Sequence, residues 1–461
     1  MKKLLGLTVA LAMVVPSVAS AELLKNLKVG GSLDVDAVES NNVSDYSTKN
    51  YDHRSTVQTR LLVNTDWDLL DDVHAHMTIS KNNRTYGSGA NASENLNTVQ
   101  TSLLLDEASV RLDKLFGSVD MTLGRQFYGD PGDLVIYFGP KMGEYTMPVT
   151  ALDGGRFDWK GEKMGVTLLA AKTTGVGVAI ATVNGNVNLA GIDVRVKASD
   201  SMSGGAYLYN QTTINSGARA PGANVTGSDK LYVLGAKGKM TMGNAWMKAE
   251  IAKNFGQNRT VAAAAGNYTF TGNYTGWALK LDGGYKADVG GVGAVTGWGQ
   301  YGLGSGGGTT NRNFTAIAGD YRPGGIFGRF IAPGVGGSPV TFNSTLNDLQ
   351  VIGLGVKVNP ATLSKLTAGL SYYNYRLQSQ ANANLATNTL TGLANQGGSK
   401  AFGGEYDLDL TWQHSENVSV AAGMGSFQPG SAIGHVNHQL AATAGSVSPV
   451  TMCYMDFGFK F

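Results

Sequence analysis

The chain holds a single cysteine, Cys453, among 461 residues. No intrachain disulfide and no thiolate metal cluster can form. It also lacks an excess of either charge: 36 Lys and Arg stand against 34 Asp and Glu, and two of the basic residues are Lys2 and Lys3. Everything after them is formally neutral, which excludes the strongly basic surface expected of a nucleic-acid-binding protein. Beyond the first residues, no stretch approaches the roughly 20 apolar residues that a membrane-spanning helix needs. The GxSxG, HExxH and P-loop spacings are absent too, so neither an enzyme motif nor a cofactor site is expected.

What is present is glycine and tyrosine. The 64 Gly and 19 Tyr accompany a mean hydropathy of −0.09. That mixture suits strands in which only alternate residues are greasy. The last segment makes the pattern plain: Met455, Phe457, Phe459 and Phe461 share one face, while Tyr454, Asp456, Gly458 and Lys460 share the other. A period of two with a greasy face fits a strand with lipid on one side and water on the other. At the other end, Lys2 and Lys3 precede the apolar run Leu4 to Val15, followed by Pro16 and the small residues Ala19-Ser20-Ala21. This reads as a secretory signal peptide over residues 1–21, leaving residues 22–461 as a single transmembrane domain.

Eighteen segments alternate in this way, within a range of 16 to 20. They predict an all-β fold, a transmembrane antiparallel up-and-down β-barrel of about 18 strands in the bacterial outer membrane. Connections alternate between tight ones such as 161–163 and long ones such as 127–154, which places short turns on the periplasmic side and long loops outside. Residues 304–347 form the longest connection. Its glycines favour flexibility, and Phe314, Phe327, Phe330 and Ile331 favour packing inside something, so an inward constriction and an extracellular loop both remain open. Phenylalanines ending at Phe461 also resemble the signal read by the outer-membrane assembly machinery.

Alternation then assigns the lumen. In residues 401–414, Phe402, Tyr406, Leu408, Leu410 and Trp412 lie on one face, and Glu405, Asp407 and Asp409 on the other. Carboxylates in a lipid-facing row cost several kcal/mol, so they face inward. The same argument turns Arg60, His74, His76, Glu107, Arg111, Arg156, Asp158, Lys160, Asp193, Arg195, Lys197, Lys248, Glu250, Lys280, Asp282 and Lys286 toward water. The balance of sign selects neither cations nor anions. His74 and His76, two apart on one face of a strand, could hold a metal only with further ligands, and ordinary lumen polarity is the expected role.

Several segments resemble the alginate export family of outer-membrane porins. They are Glu107-Ala108-Ser109-Val110, Leu123-Gly124-Arg125-Gln126 with Tyr128-Gly129-Asp130, Arg156-Phe157-Asp158, Gly404-Glu405-Tyr406-Asp407-Leu408 and Phe427-Gln428-Pro429-Gly430. Together they cover roughly residues 100–175 and 400–461. The resemblance implies an 18-stranded monomer whose charged lumen conducts polysaccharide or other small polar solutes, lined by Glu107, Arg125, Arg156, Asp158, Glu405 and Asp407. Trp159, Lys160 and Ser431 depart from the family pattern. Simple alternation conflicts with the resemblance at Arg125, which falls with Val119, Met121 and Leu123 on the lipid side.

The function expected is therefore a porin for passive diffusion of hydrophilic solutes, anionic saccharides among them, and not an enzyme. Its partners are membrane lipid, small polar or saccharide solutes and the assembly machinery, with no nucleic acid. A closed scaffold displaying loops for surface binding is the alternative, and an outer-membrane hydrolase using His74, His76 or His414 a third reading.

Overall fold

The computed structural model describes residues 25–43, 46, 48, 53–86, 103–141, 143, 147–173, 185–215, 228–261, 268–306, 311–330, 346–378, 382–384, 389–391, 399–433 and 447–461. The expected signal peptide, 1–21, lies outside them, as does Ile331. Nineteen hydrogen-bonded segments form one sheet. Two of these, Tyr268–Asn273 and Trp277–Val289, both run antiparallel beside Ala245–Val261 and make one interrupted strand. The eighteen strands correspond one to one with the eighteen alternating segments. The first strand, Lys25–Asn41, pairs with Arg54–Leu70 and also with the last, Val450–Lys460, so the sheet closes on itself and leaves no free edge.

Connections of two to five residues lie at one end of the ring, for example 71–72 and 361–365. At the other end they reach 44 residues, 305–348. Alternation sorts side chains as expected. On Ala401–Gln413, Tyr406, Leu408, Leu410 and Trp412 are 54%, 39%, 42% and 37% exposed, whereas Glu405 and Asp407 are 0% and 4% exposed. A greasy outside and a polar inside are what a hydrocarbon layer around an aqueous interior demands.

Phe402 corrects one expectation. It does not join Tyr406 and Leu408 outside: the register slips between Tyr375 and Arg376, whose partners are Gly403 and Ala401. This bulge turns Phe402 inward, fully buried, where its ring lies 5.8 Å from Phe327 and 5.6 Å from Phe427.

Candidate conduction pathway

Two long connections enter the ring. The first follows Val119–Gln126 and carries Leu134-Val135-Ile136-Tyr137-Phe138 between Pro131-Gly132 and Gly139-Pro140. All five of these residues are buried. Their backbone is met by polar groups of the wall. The Leu134 N–H donates to Glu250 at 3.0 Å, and Lys280 Nζ donates to the Gly132 carbonyl at 3.0 Å. Lys237 Nζ reaches the carboxylates of Asp133 at 2.7 Å and Asp130 at 3.2 Å. Burial raises the Asp133 carboxyl above its usual range, and the Lys237 ammonium opposes that shift. On the far side of the ring, fully buried Arg60 pairs with Asp34 at 3.0 Å and donates to the carbonyls of Lys141 and Met147.

The second connection, 305–348, holds a helical turn, Gly325–Phe330. Ile326, Phe327 and Phe330 are buried there. The wall carboxylates face the turn's backbone. Glu405 accepts from the N–H of Ile326 at 2.6 Å and of Phe327 at 3.1 Å, and Asp407 accepts from Gly325 at 3.0 Å. The hydroxyl of Tyr375 adds a third donor to Glu405 at 3.0 Å. Arg329 pairs with Asp36 and, at 3.3 Å, with Asp456, and its guanidinium lies 4.8 Å from the Tyr454 ring centroid. Burial works against that charge, but Asp36 and Asp456 outweigh it and hold Arg329 above its ordinary range.

The two connections meet in the middle. Tyr137 N–H donates to the Ala318 carbonyl at 2.8 Å, and Ala318 N–H to the Val135 carbonyl at 3.0 Å. Asp320 takes Gly132 N–H at 3.0 Å and pairs with Lys141 at 3.3 Å and Arg322 at 3.0 Å. A bridge of buried backbone and ion pairs thus crosses the lumen.

Beneath this bridge, on the turn side, lies a space of about 680 Å³ bordered by Lys160, Arg195, Lys237, Lys239, Lys248 and Lys280. A second, of about 840 Å³, is bordered by Asp66, Asp68, His74, His76, Glu107 and Arg111. Charges of both signs line each: Asp130, Asp133, Glu250 and Asp282 also border the first, and Lys28 and Arg156 the second.

The structure places Arg60, Glu107, Arg111, Arg156, Asp158, Lys160, Asp193, Arg195, Lys280, Glu405, Asp407 and Asp409 on the inner face. Many are tied to a neighbour two residues along: Arg156 to Asp158 at 2.7 Å, Arg195 to Asp193 at 3.4 Å, Arg111 to Asp113 at 2.7 Å and Lys280 to Asp282 at 3.5 Å. Glu107 is held by His76 at 2.8 Å, Thr78 and the Phe127 N–H, and Asp409 by the Tyr454 hydroxyl. Lys160 reaches Asp120 at 3.4 Å.

Arg125 stands apart from these. Its register is continuous with Gly124 opposite Ser109, so alternation leaves it outside with Leu123, paired to Asp153 at 2.9 Å near the loop end. There a long side chain can lift its charge out of the hydrocarbon. Sequence reasoning also missed Asp36, Arg329, Lys237, Lys239, Trp246 and Trp298. The apolar run 134–138 inside a polar connection was the available signal for the first inward segment.

A model of the alginate export family matches residues 194–445, more than half of the chain. The match falls largely between the two regions that carry the sequence resemblance; it includes the motifs at 404–408 and 427–430 but not residues 100–175. In fold, the chain is similar to Acinetobacter baumannii OccAB1, at 10% identity and a TM-score of 0.55 over 95% of this chain and 97% of that one. It is also similar to the outer membrane protein OprD from Pseudomonas aeruginosa, at 11% identity and a TM-score of 0.53 over 95% and 94%. P. aeruginosa OccK11 gives 11% and 0.51 over 95% and 98%. No curated protein matches. With its ring of eighteen strands, greasy outside and charged inside, the chain is an outer-membrane β-barrel channel and belongs to the alginate export family.

Proposed function

We propose that this channel passes small hydrophilic anions, with acidic saccharides as its preferred class, through gaps beside the bridge that the two inward connections build. The observation that carries this reading is an aromatic and cationic strip on the inner wall. Trp246, Gly284, Trp298 and Gly355 are successive cross-strand partners. Each indole lies flat on the glycine beside it: a Cβ on Gly284 would meet Trp246 Nε1 at 2.7 Å, and one on Gly355 would meet Trp298 Cε2 at 2.5 Å. Flat aromatic faces on a wetted wall suit the apolar face of a pyranose ring.

Around the strip stand Lys239, Lys248, Lys286 and Lys357, all exposed to the lumen. None has a carboxylate within ion-pair distance among the described residues. Lys239 and Lys248 are direct cross-strand partners, and Asp282 stands opposite Lys248 on its other side. Like charges so placed repel, and a passing carboxylate relieves that repulsion. A closed scaffold is the second reading, favoured by the continuity of the bridge; it expects no conductance.

The test is a reversal potential across planar bilayers in a salt gradient. Anion preference is expected, and Lys239→Gln with Lys248→Gln and Lys286→Gln should remove it. Block by acidic oligosaccharides should weaken about tenfold in Trp246→Ala with Trp298→Ala, the scale of one or two aromatic contacts. Cation preference in the unaltered channel, or block indifferent to both tryptophans, would overturn the proposal.

A further inference from the structure

We propose that the outward rim at the loop end binds phosphorylated headgroups of the lipids around the barrel. Followed from the turns along the outward faces, six strands stay uncharged until they reach a cation: Lys81, Arg125, Lys172, Lys230, Lys253 and Arg376. Before Lys81, for instance, come Val73, Ala75, Met77 and Ile79, and before Lys253 come Ala245, Met247, Ala249 and Ile251. Two strands reach an acid instead, Glu39 and Asp153. Both acids are occupied, Asp153 by Arg125 at 2.9 Å and Glu39 by His53 at 3.1 Å. Lys172, Lys230 and Arg376 face no carboxylate within ion-pair distance among the described residues.

The cations are densest on one side. Lys172, Asn188, Thr212, Lys230 and Gln257 are successive cross-strand partners, so five neighbouring strands present an unbroken polar row outward. Three strand spacings separate Lys172 from Lys230, about 14 Å along the sheet. Directly on the turn side of that row, Tyr232 and Phe255 stack at 5.1 Å, and Trp277 stands opposite Lys253. Aromatic rings followed by cations mark the passage from acyl chains to headgroups. The turn end of these same strands offers no outward charge to match.

A one-sided band of unneutralised cations complements a leaflet whose lipids carry several phosphates, and clustered Lys and Arg at that depth recognise such headgroups. The occupant is therefore a multiply acylated, phosphorylated glycolipid of the leaflet that meets the long loops. Its acyl chains lie on Leu168, Leu208 and Leu234, and its phosphates on Lys172 and Lys230, while Lys253, level with Leu234 and donating to the Thr275 carbonyl, adds positive charge just below them.

The full-length barrel in neutral detergent, probed by native mass spectrometry with a diphosphorylated, multiply acylated glucosamine disaccharide and its dephosphorylated counterpart, tests this. Expected is retention of the phosphorylated lipid about tenfold tighter, falling as salt screens the contact. Lys172→Gln with Lys230→Gln and Lys253→Gln should lose that preference, arginine at the same three positions should restore it, and channel conductance should not change. Equal retention of the two lipids, or a glutamine variant as retentive as the parent, would overturn the proposal. If the glutamine variant does not fold, the salt titration on the parent decides: retention insensitive to salt overturns it.

Discussion

Glu405→Ala should raise single-channel conductance severalfold while leaving the barrel folded. The Glu405 carboxylate is fully buried and accepts three hydrogen bonds, from the backbone of Ile326 and Phe327 and from the Tyr375 hydroxyl. A hydrogen bond contributes about 0.5–1.5 kcal/mol net, and a buried donor left without its partner costs about 1–3 kcal/mol. Losing even one shifts the ratio of docked to released turn about tenfold. The alanine variant removes both acceptor oxygens and all three bonds and leaves buried donors unmatched, so residues 311–330 should leave the wall and open the lumen on that side. The strand itself keeps its ladder, because the side chain contributes nothing to register with Leu366–Leu377 or Val418–Pro429. Glu405→Gln retains one acceptor oxygen and should lie between parent and alanine. Planar-bilayer recording, with limited proteolysis of residues 311–330 alongside, measures both consequences. Unchanged conductance from a folded alanine variant would show that the turn does not limit flow.

Arg329→Ala should lower stability by about 3–5 kcal/mol, the usual consequence of stranding a buried charge. Asp36 on the first strand and Asp456 on the last are directly opposed across the closing seam. Two carboxylates so placed repel. The Arg329 guanidinium lies between them and is itself almost fully buried. Without it, the buried Asp36 is left facing the more exposed Asp456 with no cation between them. The expected readout is a folded-to-unfolded mobility change on gels at a clearly lower temperature than in the parent. Asp456→Asn in the same chain should recover part of the loss, because only one acid then remains. A single variant as heat-resistant as the parent would mean that the seam does not depend on this guanidinium.

The ring itself was legible because a period of two survives wherever hydrocarbon is on one side. Every alternating segment became a strand, and the carboxylates of 401–414 faced inward for the solvation reason that predicted them. Local irregularity was not legible. Phe402 obeyed alternation in the sequence and broke it in space, since a bulge is a property of two strands and the pattern of one cannot reveal it. Arg125 is the reverse case: its strand register keeps plain alternation, and only the resemblance assigns it to the lumen. Arg329 and Lys237 were hidden for a different reason. Their partners, Asp36 and Asp133, lie hundreds and about one hundred residues away in the chain, and a period carries no information about such distances. Residues 134–138 carried a signal, an apolar run between glycine and proline pairs. Its meaning depended on a lumen large enough to receive it.

The glycines beneath the two tryptophans have an evolutionary corollary. Gly284 with Trp246, and Gly355 with Trp298, each behave as one unit spread over two strands. A methyl group added at either glycine would lever the indole off its bed and into the bore, while loss of an indole would bare a strip of backbone to water. Drift at either member is thus constrained by the other, and the calibre of the passage is set in part by residues that have no side chain at all.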